Sequence, residues 1–151
     1  MRIHELHREQ VLPGSPADVF SFFAQARNLE AITPAFLGFS VITPEPLELR
    51  VGTLIQYRLR LHGVPLSWLT SIQAWERPAR FVDVQVRGPY ALWHHTHTFE
   101  EHPDGTLMRD TVRYALPLGP LGELARVLLV QRDLDRIFAF RAGAVTRALD
   151  S

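Results

Sequence analysis

The 151-residue sequence contains no cysteine, which excludes thiol nucleophiles, thiolate metal sites and disulfide chemistry. No apolar run approaches the roughly 18 residues that a membrane-spanning helix needs, and the first ten residues lack the cationic start and apolar run of a secretion signal. A soluble, cytoplasmic protein without integral membrane contact is expected. Charge of neither sign is in excess, with 16 acidic and 16 basic residues, so nothing draws the chain to nucleic acid or to an acidic surface. Every basic residue is arginine; the missing lysine is the pattern that G+C-rich codon usage produces, and no function is drawn from it. Gly-rich phosphate loops, the HExxH pattern and a serine-nucleophile context are also absent. Proline and glycine fall singly between elements, and no repeat or low-complexity tract interrupts the chain, which predicts one domain spanning residues 1–151.

What is present is organised around the last thirty residues. A step of about 100° per residue places Leu124, Val127, Leu134, Phe138, Ala142, Val145 and Leu149 on one stripe, with Arg126, Arg132, Asp133, Arg136 and Arg147 opposite. Pro120 suits the first turn of this helix, which at about 1.5 Å per residue would run roughly 40 Å. Gln131 falls in the middle of the apolar stripe, so it is either a core glutamine bonded to a strand or part of the wall of a wet cavity. Leu129 and Phe140 fall on the charged face. If neighbours from the first helix join them, a homodimer or partner contact follows.

Upstream, Arg2–Leu12 reads as a half-polar strand with Leu6, Arg8, Gln10 and Leu12 on one face. Ser15-Pro16-Ala17-Asp18 has the form of a helix N-terminus, followed at helical spacing by Val19, Phe20, Phe22, Phe23 and Ala26, and then by a short turn over Leu29–Ile32. From there the period is two. Strands are predicted over Phe39–Thr43, Thr53–Leu61, Leu66–Gln73, Phe81–Arg87, Leu92–Glu100 and Thr106–Leu116, joined by hairpin turns. In Phe81–Arg87 periodicity alone buries Val82, Val84 and Val86.

The informative strand is Trp93-His94-His95-Thr96-His97-Thr98-Phe99. Trp93, His95, His97 and Phe99 share one face, and the two aromatics mark it as inward. On the next strand Met108, Asp110, Val112 and Tyr114 share a face. A hairpin closed around Pro103-Asp104-Gly105 puts Asp110 opposite His97 or His95, with facing backbones about 5.5 Å apart. Three readings stay open: a structural His–Asp pair, a polar wall that orients a ligand, or chemistry. In the last, Asp110 orients a histidine as general base, or the His-x-His spacing with Asp110 holds a metal.

The order of strand, two short helices, six strands and a long helix resembles the helix-grip fold of the START-like (SRPBCC) superfamily of polyketide cyclases/dehydrases and lipid-transfer domains. Several segments are similar to a bacterial ligand-binding branch of it: Pro16-Ala17-Asp18-Val19-Phe20 with Asn28-Leu29 and Ile32-Thr33-Pro34, then Arg87-Gly88-Pro89-Tyr90 leading into the histidine strand, then Leu116-Pro117-Leu118-Gly119. The resemblance implies an α+β fold in which a seven-stranded antiparallel sheet wraps a long C-terminal helix, with two short helices after the first strand. It also implies a cavity between sheet and helix for a hydrophobic or amphipathic small molecule, such as a lipid, isoprenoid or polyketide-like ring. It implies neither a reaction nor a cofactor. Asp83, Gln85 and Arg87 resemble positions often polar in such proteins, so Gln85 is expected to face the pocket despite the valines. The expected lining is Tyr57, Trp68, Gln85, Trp93, His95, His97, Asp110, Tyr114, Gln131 and Phe138, with no residue assigned to catalysis or to a metal. If the chain is an enzyme, the expectation is a cyclase/dehydrase-type reaction using the His/Asp pair.

Overall fold

The computed structural model describes residues 2–45 and 47–150. Strand β1 (His4–Leu12) buries its even-numbered side most deeply, ending at the fully buried Leu12. Helix α1 (Pro16–Phe23) starts where the sequence places it: the Asp18 N–H donates to Ser15 Oγ at 3.2 Å and Pro16 occupies the first turn, so one otherwise unpaired helix-start donor is satisfied. A short helix α2 (Asn28–Ala31) and a single 3-10 turn (Ala35–Leu37) follow. Strand β2 (Ser40–Val41) is shorter than predicted; Pro44 follows closely and cannot donate to a ladder.

The remaining strands are β3 (Leu54–Leu61), β4 (Val64–Glu76), β5 (Arg80–Arg87), β6 (Leu92–His102) and β7 (Gly105–Ala115). They form a 7-stranded antiparallel sheet in the order β1-β7-β6-β5-β4-β3-β2. On β5 the periodicity that would bury the valines gives way to the face of Phe81, Asp83 and Gln85. Val82 is buried, but Val86 is 57% exposed, and Phe81 is the residue that packs inward. The inner face is set by the larger ring: Phe20 meets Trp75, Phe81 and Phe99 edge-on, with ring centroids 4.9, 5.8 and 5.4 Å away.

The C-terminal rod is a helix in three phases: α3 (Gly119–Ala125), a π-helical segment (Arg126–Val130) and α4 (Gln131–Asp150). Leu134, Phe138 and Val145 are buried against the sheet, whereas Leu124 and Val127 are 56% and 59% exposed. The expected stripe therefore holds only from Leu134 onward. A π turn inserts one residue, and each residue carries roughly 100° of rotation, so the turns upstream swing away from the sheet. What α3 buries instead is Gly122; a Cβ there would collide with the Pro117 carbonyl, and glycine is what lets the helix start lie against the incoming chain. Leu129 and Phe140 are exposed, as expected. Their apolar companions, Leu121, Leu124, Val127 and Leu128, come from the same rod and not from α1.

Buried apolar residues fall into three clusters. One joins α1 to Phe81, Phe99 and Val145; one joins Ala26 to Ile55, Tyr57 and Ile72; one joins Trp93, Val112 and Tyr114 to Leu134 and Phe138. A cavity stands among them, bounded by members of all three.

Candidate functional site

The cavity has about 210 Å³ of internal space between the concave face of the sheet and α4. Its walls are mainly apolar and aromatic: Phe23, Phe39, Ile55, Leu59, Ile72, Phe81, Tyr90, Leu134 and Ile137 join Tyr57, Trp68, Trp93 and Phe138. One side of it is polar, formed by Asp83, His95, His97 and Arg141.

The register of three strands creates that polar side. His97 lies directly opposite Asp110 on β7, and His95 directly opposite Asp83 on β5. The hydrogen bonds nevertheless run diagonally: His95 Nε2 is 2.8 Å from Asp110 Oδ1, and His97 Nε2 is 2.6 Å from Asp83 Oδ2. The two imidazoles stack with centroids 3.7 Å apart, and Phe81 stacks on the other face of His97 at 4.0 Å. His97 Nδ1 also lies 3.0 Å from Asp110 Oδ1, but off the line of a hydrogen bond. Arg141 reaches the same oxygen at 3.8 Å, too far for a hydrogen bond, and its guanidinium lies over the rings of Phe23 and Phe138.

Burial and charge divide the two histidines. Burial, followed by the neighbouring His97, pushes His95 down to about 4, so it is neutral near pH 7. Burial opposes charge on His97 as well, but Asp110 and Asp83, one at each ring nitrogen, hold its pKa above the usual value. Burial alone would raise Asp110; Arg141 and the two histidines hold it well below the ordinary carboxylate range. Asp83 is likewise held low, by His97 first, against the effect of its burial. The cluster is therefore charged yet internally compensated.

Six of the residues expected around a cavity line it: Tyr57, Trp68, Trp93, His95, His97 and Phe138. Four do not. Asp110 stands behind the histidines, buried between them and Arg141. Tyr114 packs under Tyr90 and Trp93, with centroids 6.0 and 6.4 Å away. Gln85 faces inward, but its side chain is used up on the Tyr90 backbone, accepting from the N–H at 3.0 Å and donating to the carbonyl at 2.8 Å. Gln131, at the first position of α4, is exposed and accepts from Arg126 at 3.3 Å.

Two further polar side chains line the cavity: Arg141, which sequence reasoning passed over, and Asp83, which it named only as a position often polar in the resembling proteins. Phe81 shares a face with Asp83, and an aromatic there signals the inner side as Trp93 does on β6. Arg141 follows Phe138 by three residues and precedes Val145 by four, which is the buried spacing of α4. Asp133 was expected on the charged face. It is buried instead and hydrogen-bonded to His62 at 2.7 Å, which ties the β3–β4 turn to α4 beside the cavity residues Leu61 and Leu134.

The sequence profile of the family described as polyketide cyclase / dehydrase and lipid transport matches residues 12–140. No curated protein matches the chain by sequence. Among solved structures, the chain is similar to an aromatase/cyclase from a Streptomyces species, with a TM-score of 0.76, 11% identity, and coverage of 99% of this chain and 94% of that one. A protein from Thermus thermophilus has a TM-score of 0.66 and 22% identity, covering 96% of this chain and 99% of the other. The structure of Ara h 8.0201 has a TM-score of 0.63 and 16% identity, covering 95% and 98%. These likenesses establish a shared helix-grip fold.

Proposed function

The chain belongs to the polyketide cyclase/dehydrase and lipid transport family, and from that premise we propose that it is a carrier that binds one amphipathic small molecule, such as a lipid, isoprenoid or polyketide-like ring, between the sheet and α4. The observation that carries this reading is the asymmetry of the cavity. Aromatic and aliphatic walls bury an apolar body, while Arg141 offers guanidinium donors that make no hydrogen bond among the described residues. A buried donor without a partner is costly, and a ligand oxygen would satisfy it.

Native mass spectrometry of the protein taken directly from a crude extract tests the proposal, and a stoichiometric adduct that leaves on organic extraction is the expected result. The extracted protein should then bind the neutral fluorophore N-phenyl-1-naphthylamine, and Leu59→Trp, which fills the cavity, should weaken that binding by about tenfold or more while the fold is retained. Neither an adduct nor saturable dye binding would leave the proposal without support.

A second reading, cyclisation or dehydration, is favoured by the His95–Asp110 hydrogen bond at the cavity wall. The direction of the His95 shift argues against it, because a histidine pushed down to about 4 is a weak base near neutral pH. Turnover that disappears in His95→Ala with binding retained would reverse this ranking.

A further inference from the structure

The polar side of the cavity also has the composition of a metal site, and this does not depend on the carrier reading. We propose that Asp83, His95 and His97 hold one divalent transition-metal ion of the class that accepts imidazole and carboxylate together, such as zinc or ferrous iron. A ring nitrogen of each histidine and a carboxylate oxygen of Asp83 all lie within 4.8 Å of one another, with both histidines buried. Bonds of about 2.0–2.2 Å to a shared ion set ligand atoms roughly 3 Å apart, so the side chains need to shift by on the order of an ångström and the two rings, now stacked at 26°, need to turn so that each nitrogen faces the ion in its own ring plane. Between Asp83 Oδ2 and His97 Nε2, now 2.6 Å apart, the ion takes the place of a proton.

Two further observations point the same way. Asp110 Oδ1 lies 2.8 Å from one nitrogen of His95 and 3.0 Å from one nitrogen of His97. It stands where an outer carboxylate fixes the tautomers of ligating histidines. That leaves His97 Nε2, already on Asp83, and His95 Nδ1, which makes no hydrogen bond among the described residues, as the ligating atoms. His97 Nδ1 is the second observation: it is buried and lacks a hydrogen bond. A neutral ring bound through Nε2 carries its proton on Nδ1, and a small rotation lets that N–H donate to Asp110 Oδ1. Three protein ligands on one side leave the remaining positions open to the cavity, which is how a site that accepts a ligand differs from a closed structural one. The sequence pairs His-x-His with Asp110; the structure substitutes Asp83 as ligand and moves Asp110 behind the rings.

The test uses the full chain freed of ions with a chelator and titrated with zinc, by calorimetry and by NMR of the histidine ring nitrogens. One ion per chain, saturable at micromolar zinc, is expected, with His95 and His97 the only rings whose nitrogens move. Asp83→Asn should weaken binding by at least about tenfold. The proposal is overturned if no saturable binding occurs, if the shifts fall on His4, His7, His62, His94 or His102, or if folded Asp83→Asn binds as the parent does. Because the NMR result comes from the unaltered chain, it decides the matter even if the variant does not fold.

Discussion

Leu134→Asp should leave the chain unfolded in buffer, whereas Leu124→Asp should leave its stability nearly unchanged. The two leucines lie on one stripe of a straight helix, but Leu134 is 4% exposed against the cluster of Trp93, Val112 and Phe138, and Leu124 is 56% exposed. Losing the burial of a leucine costs about 2–3 kcal/mol, and an unpaired buried carboxylate adds several more. The sum is comparable to the whole stability of a typical domain, about 5–15 kcal/mol. At Leu124 neither penalty applies, and a surface exchange stays within about 0.5 kcal/mol. Circular dichroism through a urea titration separates the two. Equal losses at both positions would mean that the rod is continuous in phase and that the π segment does not turn its start away from the sheet.

That contrast shows where sequence reading succeeded and where it stopped. Alternation is a local property, so β3, β6 and β7 were legible from Thr53–Leu61, Leu92–Glu100 and Thr106–Leu116 alone. The start of α1 was legible from Ser15-Pro16-Ala17-Asp18, because capping involves neighbours in sequence. A single inserted residue in a helix leaves no such mark. Arg126–Val130 has the composition of an ordinary amphipathic turn, and only its backbone hydrogen bonding reveals the change in phase, which displaces Leu124 and Val127. The pairing of Asp110 with the histidines followed from the hairpin. The partner of His97 did not, because Asp83 reaches it across a different strand pair, and alternation on β5 offered three valines against one phenylalanine. Burial of valine on the outer side of a curved sheet, as at Val82, is a tertiary effect that a count of apolar residues cannot resolve.

The other large effect is expected at Asp110. Its side chain is 7% exposed, and one oxygen meets His95, His97 and Arg141 at 2.8, 3.0 and 3.8 Å. Asp110→Leu removes the one carboxylate among the described residues that lies within 4 Å of all three, and leaves the Arg141 guanidinium, 14% exposed, with only the more distant charge of Asp83 to offset it. Breaking a buried ionic cluster from one side costs about 3–5 kcal/mol. Removing the cation as well should restore part of it. Asp110→Leu with Arg141→Met replaces a charged pair by two apolar side chains, an exchange that is often neutral, and the double variant should be more stable than the sum of the single losses by about 0.5–3 kcal/mol. Urea unfolding in the presence of a chelator measures this without a contribution from any bound ion. A loss below about 1 kcal/mol for Asp110→Leu, or strict additivity in the double variant, would show that Asp110 does not hold these cations in place. The parallel change Asp83→Leu should cost less, because Asp83 keeps 19% of its side chain exposed and, among the described residues, its side chain hydrogen-bonds only His97, so water in the cavity can take over part of its role.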